Sequence, residues 1–335
     1  MRFFKGLWLR LIRTLLKFQD LPLNLFGQLW RIPNLVRKRW IGADPLPSSK
    51  LAAVFVHYDR DGVIHDYVIH QLRELLATGF RIVFVSNAPK LPQEGIDQIA
   101  PFCHTILWRF NLGYDFGAYK DGLRSIENKE DLNAVLLMND SVYGPFSRLR
   151  DLLADIDRSS TDYWGITDSW QISFHVQSYF ILFFPNALRS SAFKKFWRRM
   201  PYVNNKGWVI RNGEVRLSRV LAREKLRARV LAPYWSVAKE ISDQIVGLDI
   251  KRIEPERHRA FLEHLREHLV AGHPLNPTHY FWEALIRDYK CPFIKRELIQ
   301  PNPAKVPFAW RWPEVIQRAS NYDISMIYRH LQSMT

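Results

Sequence analysis

Cysteine is scarce. Cys103 and Cys291 are the two in 335 residues, and their spacing suits neither a pair nor a metal site. That excludes a disulfide-stapled scaffold and fits a reducing compartment. Long apolar runs are missing as well: the longest, Tyr179 to Phe184, is strand-sized and stops at Pro185, far short of the roughly 18–20 residues of a membrane span. No internal repeat or low-complexity tract breaks the chain. No nucleic-acid motif accompanies the net charge of +15, so nucleic acid is not an expected partner.

What the chain does have is a core: 47% of residues are hydrophobic and 14% aromatic, enough for one large domain or two modest ones. Charge is placed unevenly. Residues 1–40 hold nine Lys/Arg and one acid, +8 of the total +15. Phe4, Leu7, Trp8, Leu11, Ile12, Leu15 and Phe18 form one helical stripe, with Arg2, Lys5, Arg10, Arg13 and Lys17 mostly off it. Such a helix suits an anionic membrane surface; packing on the body of the protein is the alternative. Arginines interrupt the apolar stretch and no small-residue cleavage site follows, which argues against a processed signal. We therefore expect a basic amphipathic segment over 1–45 that lies on an anionic membrane surface.

Beyond a linker at residues 44–49 the pattern alternates strand and helix. Strands are expected at 51–56, 81–85, 105–108, 134–138, 163–167 and 176–184, with helices at 63–78 and 186–200. Strands rich in β-branched residues separated by helices imply a mostly parallel sheet with both faces covered. The α/β part runs over 50–233, and 234–335 is a helical extension. The string His264, Leu265, Arg266, Glu267, His268 matches H-x-x-E-H of one class of zinc proteases, but it lies in a charge-dense stretch that reads as a solvated helix.

Two turns carry the chemistry. Asn111, Gly113, Asp115, Gly117 and Lys120 fall in one turn after an apolar run, and Asn139, Asp140 and Ser141 end the next strand. Polar turns at the C-terminal ends of consecutive strands are where open α/β sheets hold ligands. Glycine lets the backbone approach a phosphate or sugar, and an acid at a strand end can hold Mg²⁺ or Mn²⁺ against a diphosphate. The bland readings are an Asx turn at Asp140 and a helix cap at Asp115. The glycine spacing G-x-x-x-G is not the dinucleotide fingerprint. Glu214 reads as an acid at a helix start, either a general base or a simple partner of the helix dipole.

These strings resemble the rhamnan synthesis protein F family, rhamnosyltransferases of bacterial surface-polysaccharide assembly. The similar blocks are 55–59, 111–123, 137–145, 163–167 and 175–180, then 276–282, 292–298 and 302–303. The resemblance covers about residues 50–305. It implies a GT-A-like nucleotide-diphospho-sugar transferase fold, dTDP-L-rhamnose as donor and a lipid-linked glycan as acceptor. It further implies that His57, Tyr58, Asp59, Asn87 and the 111–120 turn hold the donor, that Gln177 and Ser178 lie on the acceptor side, and that Glu214 is the base of an inverting transfer. The family's acid-x-acid metal position reads Asn139, Asp140, Ser141 here, with one acid. His175 is then either an added imidazole ligand or a partner of the acceptor hydroxyl. A non-catalytic scaffold that keeps the fold is the alternative function.

Overall fold

The computed structural model describes residues 35–334, so the amphipathic stripe of residues 4–18 lies outside the described residues. The strands are β1 (Val36–Ile41), β2 (Leu51–His57), β3 (Arg81–Ser86), β4 (Cys103–Arg109), β5 (Ala134–Asn139), β6 (Val142–Tyr143), β7 (Tyr163–Ser169), β8 (His175–Val176), β9 (Phe180–Phe183), β10 (Ala228–Ala232) and β11 (Ile294–Lys295). The main sheet runs β1-β4-β3-β2-β5-β9-β7-β10, with β8 on β7. β4, β3, β2 and β5 are parallel neighbours, β7 and β10 are parallel, and β9 is antiparallel to both β5 and β7. The result is a mixed, mostly parallel α/β sheet flanked by helices, with a helical C-terminal part.

Alternation along β2 explains the continuous apolar run. Ala53 and Phe55 enter one core, while Ala52, Val54 and Val56 enter the core on the other face. A strand covered on both sides has no solvent face to mark in sequence. The first of those cores also takes in Leu265, Trp282, Leu298 and Trp312, so the 234–335 part is packed on the sheet rather than standing apart.

Three expectations are corrected. Residues 36–41 are not amphipathic helix but edge strand β1, pairing antiparallel with β4; its exposed Arg37, Lys38 and Arg39 guard an edge that would otherwise template aggregation. The expected strand 176–184 is two, because Gln177–Tyr179 turn between β8 and β9. The helix over 186–200 is broken at Ser190, whose hydroxyl caps a second helix by accepting from the Phe193 N–H.

Candidate active site

A cleft of about 770 Å³ opens where β2, β3, β5 and β7 end. Because β9 runs the other way, the turn that precedes it, with Ser178, arrives at the same rim. Tyr58, Asn87, Asn111, Asp115, Asn139, Asp140, His175, Gln177, Ser178 and Glu214 all line it. Among these, Asn87 is held by the Arg109 guanidinium at 2.6 Å, and Arg109 is itself locked in a buried pair with Asp121 at 2.7 Å.

Glu214 is not at a helix start. It lies inside a helical run from Lys206 to Arg223, within a π-helical stretch at Ile210–Val215. One wide turn of this kind re-aims a side chain, and such turns concentrate at functional sites. Gly213 lets the run press on the Phe116 ring; a Cβ there would sit 2.9 Å from it. The Glu214 carboxylate meets His175 Nε2 at 3.4 Å and accepts from Ser178 Oγ at 2.5 Å. Burial alone would push its pKa up, but the His175 contact and the Ser178 hydroxyl outweigh it and hold the carboxyl below its usual value. His175 moves the opposite way. Burial disfavours its charge, yet Glu214 raises its pKa, and its Nδ1 contacts the Ser173 carbonyl at 2.9 Å. With Nδ1–H donating there, Nε2 faces a carboxylate and holds a proton best as imidazolium.

The other wall carries cations that local sequence did not single out. β11 pairs with β6, directly after Asp140 and Ser141, and brings Lys295 and Arg296 into the cleft. Arg296 Nη1 contacts the Asp140 carboxylate at 3.3 Å, its backbone oxygen at 3.0 Å and Tyr67 Oη at 2.7 Å. Lys295 Nζ donates to Ser141 Oγ at 3.0 Å and stands 4.3 Å over the Tyr179 ring. It has no carboxylate partner within ion-pair distance among the described residues, and burial pulls its pKa down to about 8 against the pull of Glu214 and Asp115. Asp115 accepts from the Asn139 amide at 2.9 Å; burial and then the Asp140 charge raise its pKa to about 6. Lys206, Asn276 and His279 also reach this cleft.

Five residues read as donor ligands do not line the cleft. His57 is buried against Phe84, with Nδ1 on Ser86 Oγ and Nε2 on the Val63 carbonyl. Asp59 closes its own loop: Oδ1 takes the N–H groups of Asp61 and Val63, and Oδ2 meets His65. Gly113 has φ +82, which an L side chain rarely adopts, and caps the Tyr114–Ser125 helix. Gly117 leaves room for backbone, since a Cβ would fall 2.3 Å from the Leu112 oxygen. Lys120 is five residues past Asp115, about 140° around a helix, and its ammonium donates to the Met200 carbonyl behind the site. These residues build the turns that aim Asn87, Asn111 and Asp115.

A divalent cation fits this donor set poorly. Asp140 already accepts from the Tyr58 N–H at 3.1 Å and from Arg296, and the Asn139 oxygen is taken by Ser141. A guanidinium beside the Asp140 carboxylate repels the ion that this carboxylate was to hold. The group of potential metal ligands among the described residues is elsewhere, at Asp59, His65 and His330; there Arg296 again stands close, 3.5 Å from His330 Nε2. His264 and His268 share a helix face, 4.0 Å apart, with no third ligand in that group.

Residues 82–236 match the family described as rhamnan synthesis protein F. Virulence protein VirA of Vibrio anguillarum is 27% identical over 284 residues, which cover 82% of this chain and 88% of that protein. Among solved structures, residues 1–349 of S. aureus TarS in complex with UDP align over 79% of this chain and 88% of that one, at 13% identity and a TM-score of 0.30. The mannosyltransferase Ktr4p of S. cerevisiae in complex with GDP aligns over 50% of this chain and 64% of that one, at 11% identity and a TM-score of 0.29. The stretch similar to the rhamnan synthesis protein F family is the one that holds Asn87, Asp115, Asp140, His175 and Glu214.

Proposed function

We propose that the protein is an inverting glycosyltransferase that moves a sugar from a nucleoside diphosphate to a hydroxyl of a growing glycan. The observation that carries this reading is one cleft with a carboxylate–imidazole pair, Glu214 and His175, on one side and two cations, Lys295 and Arg296, on the other. Diphosphate binds beside Lys295 and Arg296, and Asn87, Asn111 and Tyr58 contact the nucleoside. Glu214 takes the proton of the acceptor hydroxyl as its oxygen attacks the anomeric carbon. The bond from that carbon to the diphosphate oxygen breaks on the opposite face, and the diphosphate leaves with the electron pair. Lys295 and Arg296 stabilise that charge, the work a metal ion does elsewhere. Asp140 orients Arg296 rather than a cation. Gln177 and Ser178 face the incoming hydroxyl.

The family description supports rhamnose as the sugar and dTDP-L-rhamnose as the donor, with a lipid-linked surface polysaccharide as acceptor. The charge and apolar stripe of residues 4–18 support attachment to the inner face of the cytoplasmic membrane, which brings the cleft to such an acceptor. The test is a thermal-shift and nucleotide-release screen of dTDP-rhamnose, UDP-glucose and GDP-mannose, each with and without Mn²⁺. A ligand that binds the native state alone raises its melting temperature by mass action, so the donor is expected to stand out. A chain that no nucleotide-sugar stabilises or loses its nucleotide to would sink the enzymatic reading and favour the scaffold.

A further inference from the structure

Two exposed tryptophans stand together at the rim of the cleft. Trp170 follows the end of β7 and Trp235 opens the Tyr234–Val246 helix after β10, the parallel neighbour of β7. Their rings are 6.0 Å apart at 57°, and Trp170 meets Phe174 edge-on at 5.4 Å. They are 36% and 45% exposed, in a protein that buries most of its aromatic rings. Ser169, Gln171, Ile172 and His175, on either side in sequence, line the cleft.

One carboxylate holds Trp170 and the helix turn from which Trp235 projects. Asp168 Oδ2 accepts from the Trp170 indole N–H at 2.8 Å, and Oδ1 accepts from the Tyr234 backbone N–H at 2.6 Å, at the helix turn that carries Trp235. Tyr234 in turn packs on Trp235 at 4.9 Å and accepts from the Leu275 N–H. Large apolar faces left in water, yet already packed against neighbouring rings, lose less order when a ligand covers them.

The charge around them selects the ligand. The chain carries +15, yet there is no Lys or Arg between Arg158 and Arg189. The Tyr234–Val246 helix has one, Lys239, paired to Asp243 at 2.6 Å. The two segments that carry the tryptophans thus offer no unpaired cation to a phosphate-rich polymer or an anionic lipid surface. A pyranose ring fits: its C–H face lies on the electron-rich face of an indole, and its hydroxyl rim reaches amides. Gln171 and Gln177 on the adjoining wall provide such amides.

We propose that Trp170 and Trp235 form the stacking platform for the acceptor glycan, holding the sugar ring next to the attacked hydroxyl. The proposal rests on the glycosyltransferase reading of the cleft and adds which side the acceptor enters. The distinguishing experiment is saturation-transfer NMR on the full chain with rhamnose, mannose and glucose trisaccharides, using dTDP as a second ligand in the same tube. At least one trisaccharide is expected to receive saturation at its ring C–H protons. In Trp170→Ala/Trp235→Ala that signal falls about tenfold or more, as for a lost aromatic anchor, with the dTDP signal unchanged. Trp170→Phe/Trp235→Phe keeps part of it. The retained dTDP signal also shows that the variants fold. A saccharide signal that survives the double alanine variant overturns the platform. So does a wild type that binds no trisaccharide while phosphatidylglycerol vesicles quench these indoles, which would make them a membrane contact. Saccharide bound through the tryptophans with no dTDP bound would instead sink the cleft reading and leave the platform standing.

Discussion

Lys295→Met is the perturbation that most directly probes where the diphosphate charge is met. The side chain contacts Ser141 Oγ and the Tyr179 ring, both neutral, so methionine keeps the packing and the free chain should melt near the wild-type temperature. A hydrogen bond to a charged group contributes about 1.5–3 kcal/mol, and 1.4 kcal/mol is a factor of ten, so dTDP affinity should fall about 10- to 150-fold. Proton linkage gives a second readout. The free ammonium has a pKa of about 8, and a bound diphosphate raises it. Affinity is therefore full below pH 8 and falls with rising pH above it, with proton uptake on binding near that value. Isothermal titration of dTDP at pH 7 and 8.5, in buffers of different ionisation enthalpy, measures both. A Kd within about threefold of wild type, under 0.7 kcal/mol, would refute the assignment. So would an unchanged alkaline decline in the variant.

Chelation with EDTA should leave dTDP affinity within about threefold, since Arg296 already occupies the Asp140 carboxylate; a larger loss would restore the metal. Glu214→Gln should cut kcat at least about 100-fold, the lower range for a lost general base, with dTDP affinity unchanged. Because the Glu214 carboxyl sits below its usual value and Asp115 at about 6, activity should persist as pH falls through 6; loss through 6, with Asp115→Asn inactive at every pH, would move the base to Asp115. Gly117→Ala should destabilise the chain by about 1–3 kcal/mol in urea unfolding, because its Cβ would meet the Leu112 oxygen at 2.3 Å. An unchanged midpoint would mean the turn yields. Deleting residues 1–34, which spares β1, should release the protein from anionic vesicles and leave transfer to a soluble acceptor in place. Continued sedimentation with vesicles would put the membrane contact elsewhere.

Much of the sheet was legible in the sequence because strands buried on both faces are written as short apolar runs closed by polar turns; β2, β3, β4, β5 and β7 all read this way. The same local logic located the turns at 87, 111–115 and 139–140, since a strand end and its first loop residues are neighbours in chain and in space. Which side chains face the cleft was decided by tertiary structure. His57, Asp59 and Lys120 had the right chemistry at the right turns, but strand pleat, an Asx turn and helix rotation point them into packing. Glu214 was legible as an acid but not as part of a π-turn, which has no local signature; there Gly213 lies close against Phe116. Lys295 and Arg296 were least legible. They meet Ser141 and Asp140 across sequence separations of 154 and 156 residues. The two-residue pairing of β11 with β6 that brings them there is too short to show as a pattern. Composition determined a large basic chain with a charged N-terminus, and the alternation of apolar runs its α/β class; the long-range return of the chain decided that two side-chain cations line its cleft.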